Sequence, residues 1–277
     1  MQAAISTRRE LAEILARRIV AQAQTSSDEF HIPGRVASFM IDSVLPEEIA
    51  RGIYEAFPPN ERLVHKRNLG QDKYVGVQMN LYEPILEEVV YCFQQPEVVE
   101  AISRITGIRN LIPDTDLYAG GISVMCQGNF LNPHLDNSHD KDQKNYRVLN
   151  LLYYVTPGWE EEYGGNLELW DSGPEGSRRT LTSAFNRLVV MITNKSSWHS
   201  VSRVEAEGRR CCVSNYYFSP EPVDTDGSYH VTSFRGRPGE KWKDLAMQGD
   251  NLLRTAVRKT LGEKVFRNPH VYKRDDK

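Results

Sequence analysis

The 277-residue sequence predicts a mainly β fold, a double-stranded β-helix (jelly roll) with N-terminal and C-terminal flanking helices. Two observations predict it. Between Leu117 and Phe218 the chain falls into short β-prone runs separated by Gly, Pro, Asn and Asp, the texture of antiparallel sheets closed on themselves. Ahead of that stretch, apolar residues recur at helical spacing between helix-starting and helix-stopping residues.

At the front, Ser6 or Thr7 can cap a helix, with Glu10 completing a capping box and Leu11, Ile14, Leu15 and Ile19 on one face. The helix should end near Gln24, before the polar run Thr25-Ser26-Ser27-Asp28. Arg35–Asp42 reads as a short strand, and Leu45-Pro46-Glu47-Glu48 starts a helix that Pro58-Pro59-Asn60 stops after Phe57. Lys73–Tyr82 reads as extended. Pro84 opens a helix through Phe93, and Pro96 opens another through about Thr106, with Gly107 as its stop.

The β runs follow: Leu117–Met125, Phe130–Asp136, Tyr146–Thr156, Asn166–Asp171, Thr180–Ser183, Arg187–Thr193, His199–Val204 and Arg210–Phe218. Past Ser219 come a Pro-containing link, a strand at His230–Phe234, a basic segment Arg235–Lys243, a helix near Asn251–Leu261 and a polar tail from His270. No repeat or composition shift marks a boundary. The expectation is one domain over 1–277: a helical buttress (about 1–110), a jelly-roll core (about 112–220) and an extension (about 221–277).

Composition narrows the function. Hydrophobic residues make up 40% and charged residues 26%, an ordinary globular balance. A net charge of −3 supplies no basic field, so nucleic acid is not an expected partner. No run approaches the roughly 18 apolar residues of a membrane span. Arg8, Arg9, Glu10, Arg17 and Arg18 interrupt the first 25 residues, unlike a secretory signal. Cys92, Cys126, Cys211 and Cys212 form no C-x-x-C, so buried free thiols and a cytoplasmic location are expected. Oligomeric state is left open.

The chemistry centres on His134-Leu135-Asp136. On a strand, the side chains of His134 and Asp136 point the same way. A second histidine would complete a 2-His-1-carboxylate triad, which suits non-haem Fe(II). By ordinary residue usage, roughly one chain in four of this length would hold an H-x-D by accident, so the downstream pattern decides. His199, just after the apolar run Leu188–Ile192, is the best second histidine. Arg210, Cys212, Ser214 and Tyr216 then share one strand face. A guanidinium facing a barrel interior is costly unless it meets an anion, and Arg suits a carboxylate bidentately. Iron with a dicarboxylate is what 2-oxoglutarate chemistry requires.

The order H-x-D, aromatic strand (Leu152-Tyr153-Tyr154-Val155), Trp159, Gly164-Gly165-Asn166-Leu167, His199 and Gly208-x-Arg210 resembles the 2-oxoglutarate/Fe(II) dioxygenases of the prolyl 4-hydroxylase-like family. The likeness covers roughly Leu117–Phe218. It implies His134, Asp136 and His199 as iron ligands and catalytic residues, and Arg210 on the distal carboxylate of 2-oxoglutarate. Tyr154 would join Arg210, with Tyr153 as its rival. It implies hydroxylation of an amino-acid-like, peptidyl-prolyl or natural-product substrate with O2, giving succinate and CO2, and ascorbate as a candidate reductant. Many relatives carry Lys at the place of Arg210 and Trp at that of Tyr216, so the substrate need not be a prolyl peptide.

Other readings compete. A cupin-type zinc hydrolase or isomerase would use His134, His139 and His199; a jelly-roll binding module would use no metal. The polar loop Asn137–Asn145, which holds His139-Asp140, reads as a solvated lid, Gly164-Gly165 as a tight turn or bulge, and Arg235, Arg237, Lys241 and Lys243 as a solvated basic face.

Overall fold

A computed structural model describes residues 7–224, 227–249 and 271–273. Along the described residues the elements run in the order α1 (Arg8–Ala21), α2 (Ala23–Phe30), β1 (Ser38–Asp42), α3 (Glu47–Glu55), β2 (Val64–Arg67), β3 (Gln71–Gly76), α4 (Pro84–Cys92), α5 (Pro96–Thr106) and β4 (Ile112–Pro113). There follow β5 (Gly121–Cys126), β6 (Phe130–Leu135), β7 (Tyr146–Tyr154), β8 (Leu167–Leu169), β9 (Arg179–Leu181), β10 (Arg187–Ile192), β11 (His199–Val201), β12 (Arg209–Ser219) and β13 (Ser233–Phe234). Residues 241–249 are helical as well.

All strand pairings are antiparallel, in the order β1-β10-β7-β12-β5-β3-β6-β11-β8-β9. The eight strands β5–β12 form the jelly roll that the sequence predicts. They divide into a layer β10-β7-β12-β5 and a layer β6-β11-β8-β9, joined through β3, which pairs with β5 and β6.

The first layer is buried on both faces. Leu149, Leu151 and Tyr153 of β7, Leu188 and Val190 of β10, and Cys211, Val213 and Tyr217 of β12 share a core with Leu11, Leu15 and Ile19 of α1, Ile53 of α3, Val89 of α4 and Ile102 of α5. The alternate positions Tyr154, Val189, Met191 and Cys212 face inward with Leu167, Leu169 and Leu181 of the second layer. Period-two alternation thus packs helices on one side and lines the interior on the other. Cys211 and Cys212 lie on opposite faces, and all four cysteines are free.

Thr7 caps α1 in a complete capping box with Glu10. α5 ends at Gly107 in the left-handed conformation (φ 70°). Three expectations need correction. Thr25-Ser26-Ser27-Asp28 does not end the helical front: after a break at Gln22, these residues form α2, with Ser26 and Phe30 buried. Lys73–Tyr82 is extended only to Gly76 and continues into a 3-10 turn at Met79–Leu81. The strand expected from His230 is confined to Ser233–Phe234. The helix expected near Asn251–Leu261 and the tail from His270 lie outside the described residues, apart from 271–273.

Candidate active site

β6 and β11 bring the three sequence-nominated donors together. His134 and His199 are direct cross-strand partners, and their ring centroids lie 4.1 Å apart. Asp136, one residue past the end of β6, reaches back to both: 3.6 Å from its Oδ1 to His134 Nε2 and 3.7 Å from its Oδ2 to His199 Nε2. One ligand atom from each lies within 4.8 Å of the others, and this is the metal-capable cluster among the described residues.

The local backbone presets the imidazoles. His134 Nδ1 lies 2.9 Å from the Asn132 carbonyl and His199 Nδ1 2.9 Å from the Ser197 carbonyl, each two residues back. A carbonyl can only accept, so Nδ1 carries the proton and Nε2 turns a lone pair toward the common point. That is the outer-shell contact that orients metal-ligating histidines. Phe234 of β13 stacks on His134 at 5.3 Å and 24°.

The electrostatics agree. Burial alone would raise the Asp136 carboxyl, but His134, His199 and Arg147 outweigh it and hold the group well below the usual carboxylate range. Its Oδ2 is buried without a hydrogen-bond partner among the described residues. Burial, then the neighbouring His134, pulls the His199 ring down to about 4, so the neutral form is favoured. An anionic carboxylate with an orphaned oxygen and two imidazoles whose Nε2 atoms converge on it is a donor set suited to a divalent metal.

Arg210 turns into the same cavity from β12, among Asn150, Leu152, Tyr154, Ser214 and the three donors. It is 4% exposed and has no carboxylate within ion-pair distance among the described residues. Its Nη2 donates to Met125 Sδ at 2.9 Å, and its Nε has no hydrogen-bond partner among the described residues. The guanidinium carbon sits 5.3 Å from the Tyr154 ring centroid. Tyr154 faces inward, whereas the Tyr153 hydroxyl donates to Asn186 Oδ1 on the helix side. Arg209 is drawn away by the Pro58 carbonyl.

The cavity opens into a mouth of about 510 Å3. Three cations there escaped sequence reasoning. Arg147, 4% exposed, lies 3.9 Å from Asp136 Oδ1 and 4.3 Å from the Tyr216 ring, and its Nε and Nη2 have no hydrogen-bond partner among the described residues. Lys66 and Lys73 reach the mouth from β2 and β3. Burial, then the Lys66 ammonium, pulls the Lys73 amine down to about 8.

Two expectations fail at the rim. His139 is only 7% exposed, wedged between Tyr146 (4.5 Å) and Tyr229 (5.5 Å), so it is not part of a solvated lid. It is not in the metal-capable cluster, which removes the His134/His139/His199 zinc set. The basic segment is not a solvated face either. Arg235 pairs with Asp244 and Glu175, Arg237 with the buried Glu168, and Lys243 with Glu240. Gly164-Gly165 is a tight turn: both have positive φ, and a Cβ on Gly164 would lie 1.9 Å from the Arg203 carbonyl oxygen.

Inside a jelly roll, two histidines and a carboxylate converge beside a buried arginine that meets no carboxylate among the described residues, a donor set of the facial-triad kind. Residues 120–218 match the family model of the 2OG-Fe(II) oxygenase superfamily. An 87-residue stretch is 31% identical to the mouse (Mus musculus) prolyl 3-hydroxylase OGFOD1, covering 30% of this chain and 16% of that protein's length. Among solved structures, a prolyl 4-hydroxylase from Phytophthora capsici superposes with a TM-score of 0.51 at 17% identity, over 98% of this chain and 83% of that one. The α-ketoglutarate-dependent epimerase SnoN from nogalamycin biosynthesis superposes with a TM-score of 0.50 at 13% identity, over 81% and 89% of the two chains. These structural likenesses establish the jelly-roll fold. No helix among the described residues is long and apolar enough to cross a membrane.

Proposed function

We propose that this chain is a 2-oxoglutarate- and Fe(II)-dependent dioxygenase that hydroxylates an unactivated C–H bond of an amino-acid-like, peptidyl-prolyl or natural-product substrate. In this reading His134, Asp136 and His199 hold the metal, and Arg210 with Tyr154 receives the distal carboxylate of 2-oxoglutarate. When bound, Fe(II) and 2-oxoglutarate supply the activation of O2, with release of succinate and CO2. The chain's own groups supply the rest. The Asn132 and Ser197 carbonyls fix the imidazole tautomers. Arg210 offers a buried fork with free donors, the geometry that orients a carboxylate. Leu152, Leu167 and Val201 line the cavity with apolar surface that limits water.

The observation that carries the proposal is the pairing of a convergent donor triad with a buried arginine that has no protein anion to meet. Four free thiols support a reducing, cytoplasmic location. The core shared by helices and sheet supports a single domain over the described residues.

The test is anaerobic addition of Fe(II) and 2-oxoglutarate to the apoprotein. A weak visible charge-transfer band should appear and be absent in His199→Ala, and succinate should form once O2 is admitted. A protein that binds Zn(II) yet shows neither band nor succinate would end the proposal.

A further inference from the structure

The mouth of the cavity is charged in one sense. Besides His134 and Tyr216, its ionisable lining residues are Lys66, Lys73, Arg147 and Asp136, and Arg210 lies just inside. On the proposed function, Asp136 is committed to the metal, and a divalent metal and a dianionic co-substrate cancel each other. Four cations then face one carboxylate.

Lys66 and Lys73 are the unusual pair. They are direct cross-strand partners in the β2–β3 hairpin, the placement in which like charges repel most. Both are half-buried, and both amines are pulled down by desolvation. Among the described residues neither has a carboxylate within ion-pair distance, whereas the neighbouring His65 and Arg67 of the same hairpin both pair with Asp72. A hairpin that satisfies its outward cations and leaves two inward lysines unpaired over a cavity is built for a mobile anion. Arg147, buried with two nitrogens that find no hydrogen-bond partner among the described residues, adds to the same field from β7.

We infer that Lys66 and Lys73 form an anion subsite that selects a primary substrate carrying a carboxylate next to the position to be oxidised. The inference rests on the oxygenase reading and names the substrate class it leaves open. Two sources carry that chemistry: the α-carboxylate of a free amino-acid-like molecule, and an acidic side chain beside the target residue of a peptide.

Calorimetry on the full chain tests it. The protein is first saturated with Mn(II), which supports no turnover, and with 2-oxoglutarate, which occupies Arg210. It is then titrated with N-acetyl-L-proline against its uncharged amide, and with N-acetyl-prolyl-aspartyl amide against its asparaginyl counterpart. One charged member should bind at least roughly tenfold tighter than its neutral partner, as one charge-assisted hydrogen bond would give. The pair that shows the difference identifies the source of the carboxylate. Lys66→Met and Lys73→Met should each erase the difference while leaving 2-oxoglutarate binding within about twofold. Equal binding within both pairs, or no binding by any of the four, overturns the inference. So does a Lys73→Met variant whose loss falls on 2-oxoglutarate. If 2-oxoglutarate fails to bind in the presence of Mn(II), the oxygenase reading itself has failed, a result visible before any substrate probe is added.

Discussion

Lys73 sets function against stability within one side chain. Burial, and then Lys66, lowers its amine from 10.5 to about 8. The folded chain therefore binds fewer protons than the unfolded chain between those values, and stability rises with pH across that window. Below about 8 the full cost of holding the charge is present. Since the residue is half-buried, the cost is discounted to about 1 kcal/mol. Lys73→Met should raise the melting temperature of metal-free protein at pH 7 by a few degrees and lose most of that gain near pH 10. A fall at pH 7 would mean that the ammonium is held favourably. The triad shows what a sequence makes visible at this scale. Strand alternation nominates His134 and Asp136, and the downstream order of His199 and Arg210 separates that pair from a chance H-x-D. Arg147 was hidden because alternation breaks there. β12 pairs Tyr217 with Leu149 but Phe218 with Arg147, so Val148 is an extra residue. That bulge turns Arg147 into the cavity from what alternation makes a helix-facing position, as bulges beside active sites do.

At the scale of elements, the segment from β13 onward is a strap over β6 and β11. β13 pairs with β6, placing Phe234 opposite His134, and Arg235 N–H donates to the Pro133 carbonyl. The strap is pinned by Arg237, which donates to the Val201 carbonyl of β11 and pairs at 2.7 Å with Glu168 of β8. Glu168 is 2% exposed, and its other partners are the half-exposed Arg178 and the Ser200 hydroxyl, itself beside His199. Arg237→Ala would leave a buried carboxylate short of a partner, a loss of roughly 1–3 kcal/mol. Metal affinity should fall with it, because β8 and β11 pack beside His199. Denaturant melts and Mn(II) titration of the variant check both; unchanged stability and affinity would make the strap incidental. The strand at the start of the strap was legible, but its pinning was not, because a run of Arg and Lys reads as a solvated face until its acidic partners, more than sixty residues upstream in the case of Glu168, are placed. Likewise α2 was missed because Thr, Ser and Asp favour turns in isolation, whereas here Ser26 and Phe30 pack against the molecule. The eight jelly-roll strands were legible because alternation and turn residues are local signals.

The whole molecule adds a coupling that no single element shows. The three donors belong to the β6–β11 layer, while Arg210 belongs to β12 in the other layer, and both line one cavity. On the proposed function the metal clips strands that already pair, whereas 2-oxoglutarate, held by Arg210 and the metal together, bridges the two layers. Binding to the folded state alone stabilises it by about 2.7 kcal/mol at a hundredfold excess over Kd, or roughly 5–10 °C in melting temperature for a chain of this size. Mn(II) should therefore raise the melting temperature by about that amount, and 2-oxoglutarate should raise it again only when Mn(II) is present. In Arg210→Met the metal increment should survive and the 2-oxoglutarate increment should vanish. In His134→Ala both should vanish, since the co-substrate then has one anchor instead of two. Thermal melts of the three proteins with Mn(II), with 2-oxoglutarate and with both decide it. An equal 2-oxoglutarate increment with and without metal would show that the two ligands do not share a site, and the two layers would then owe nothing to a common ligand.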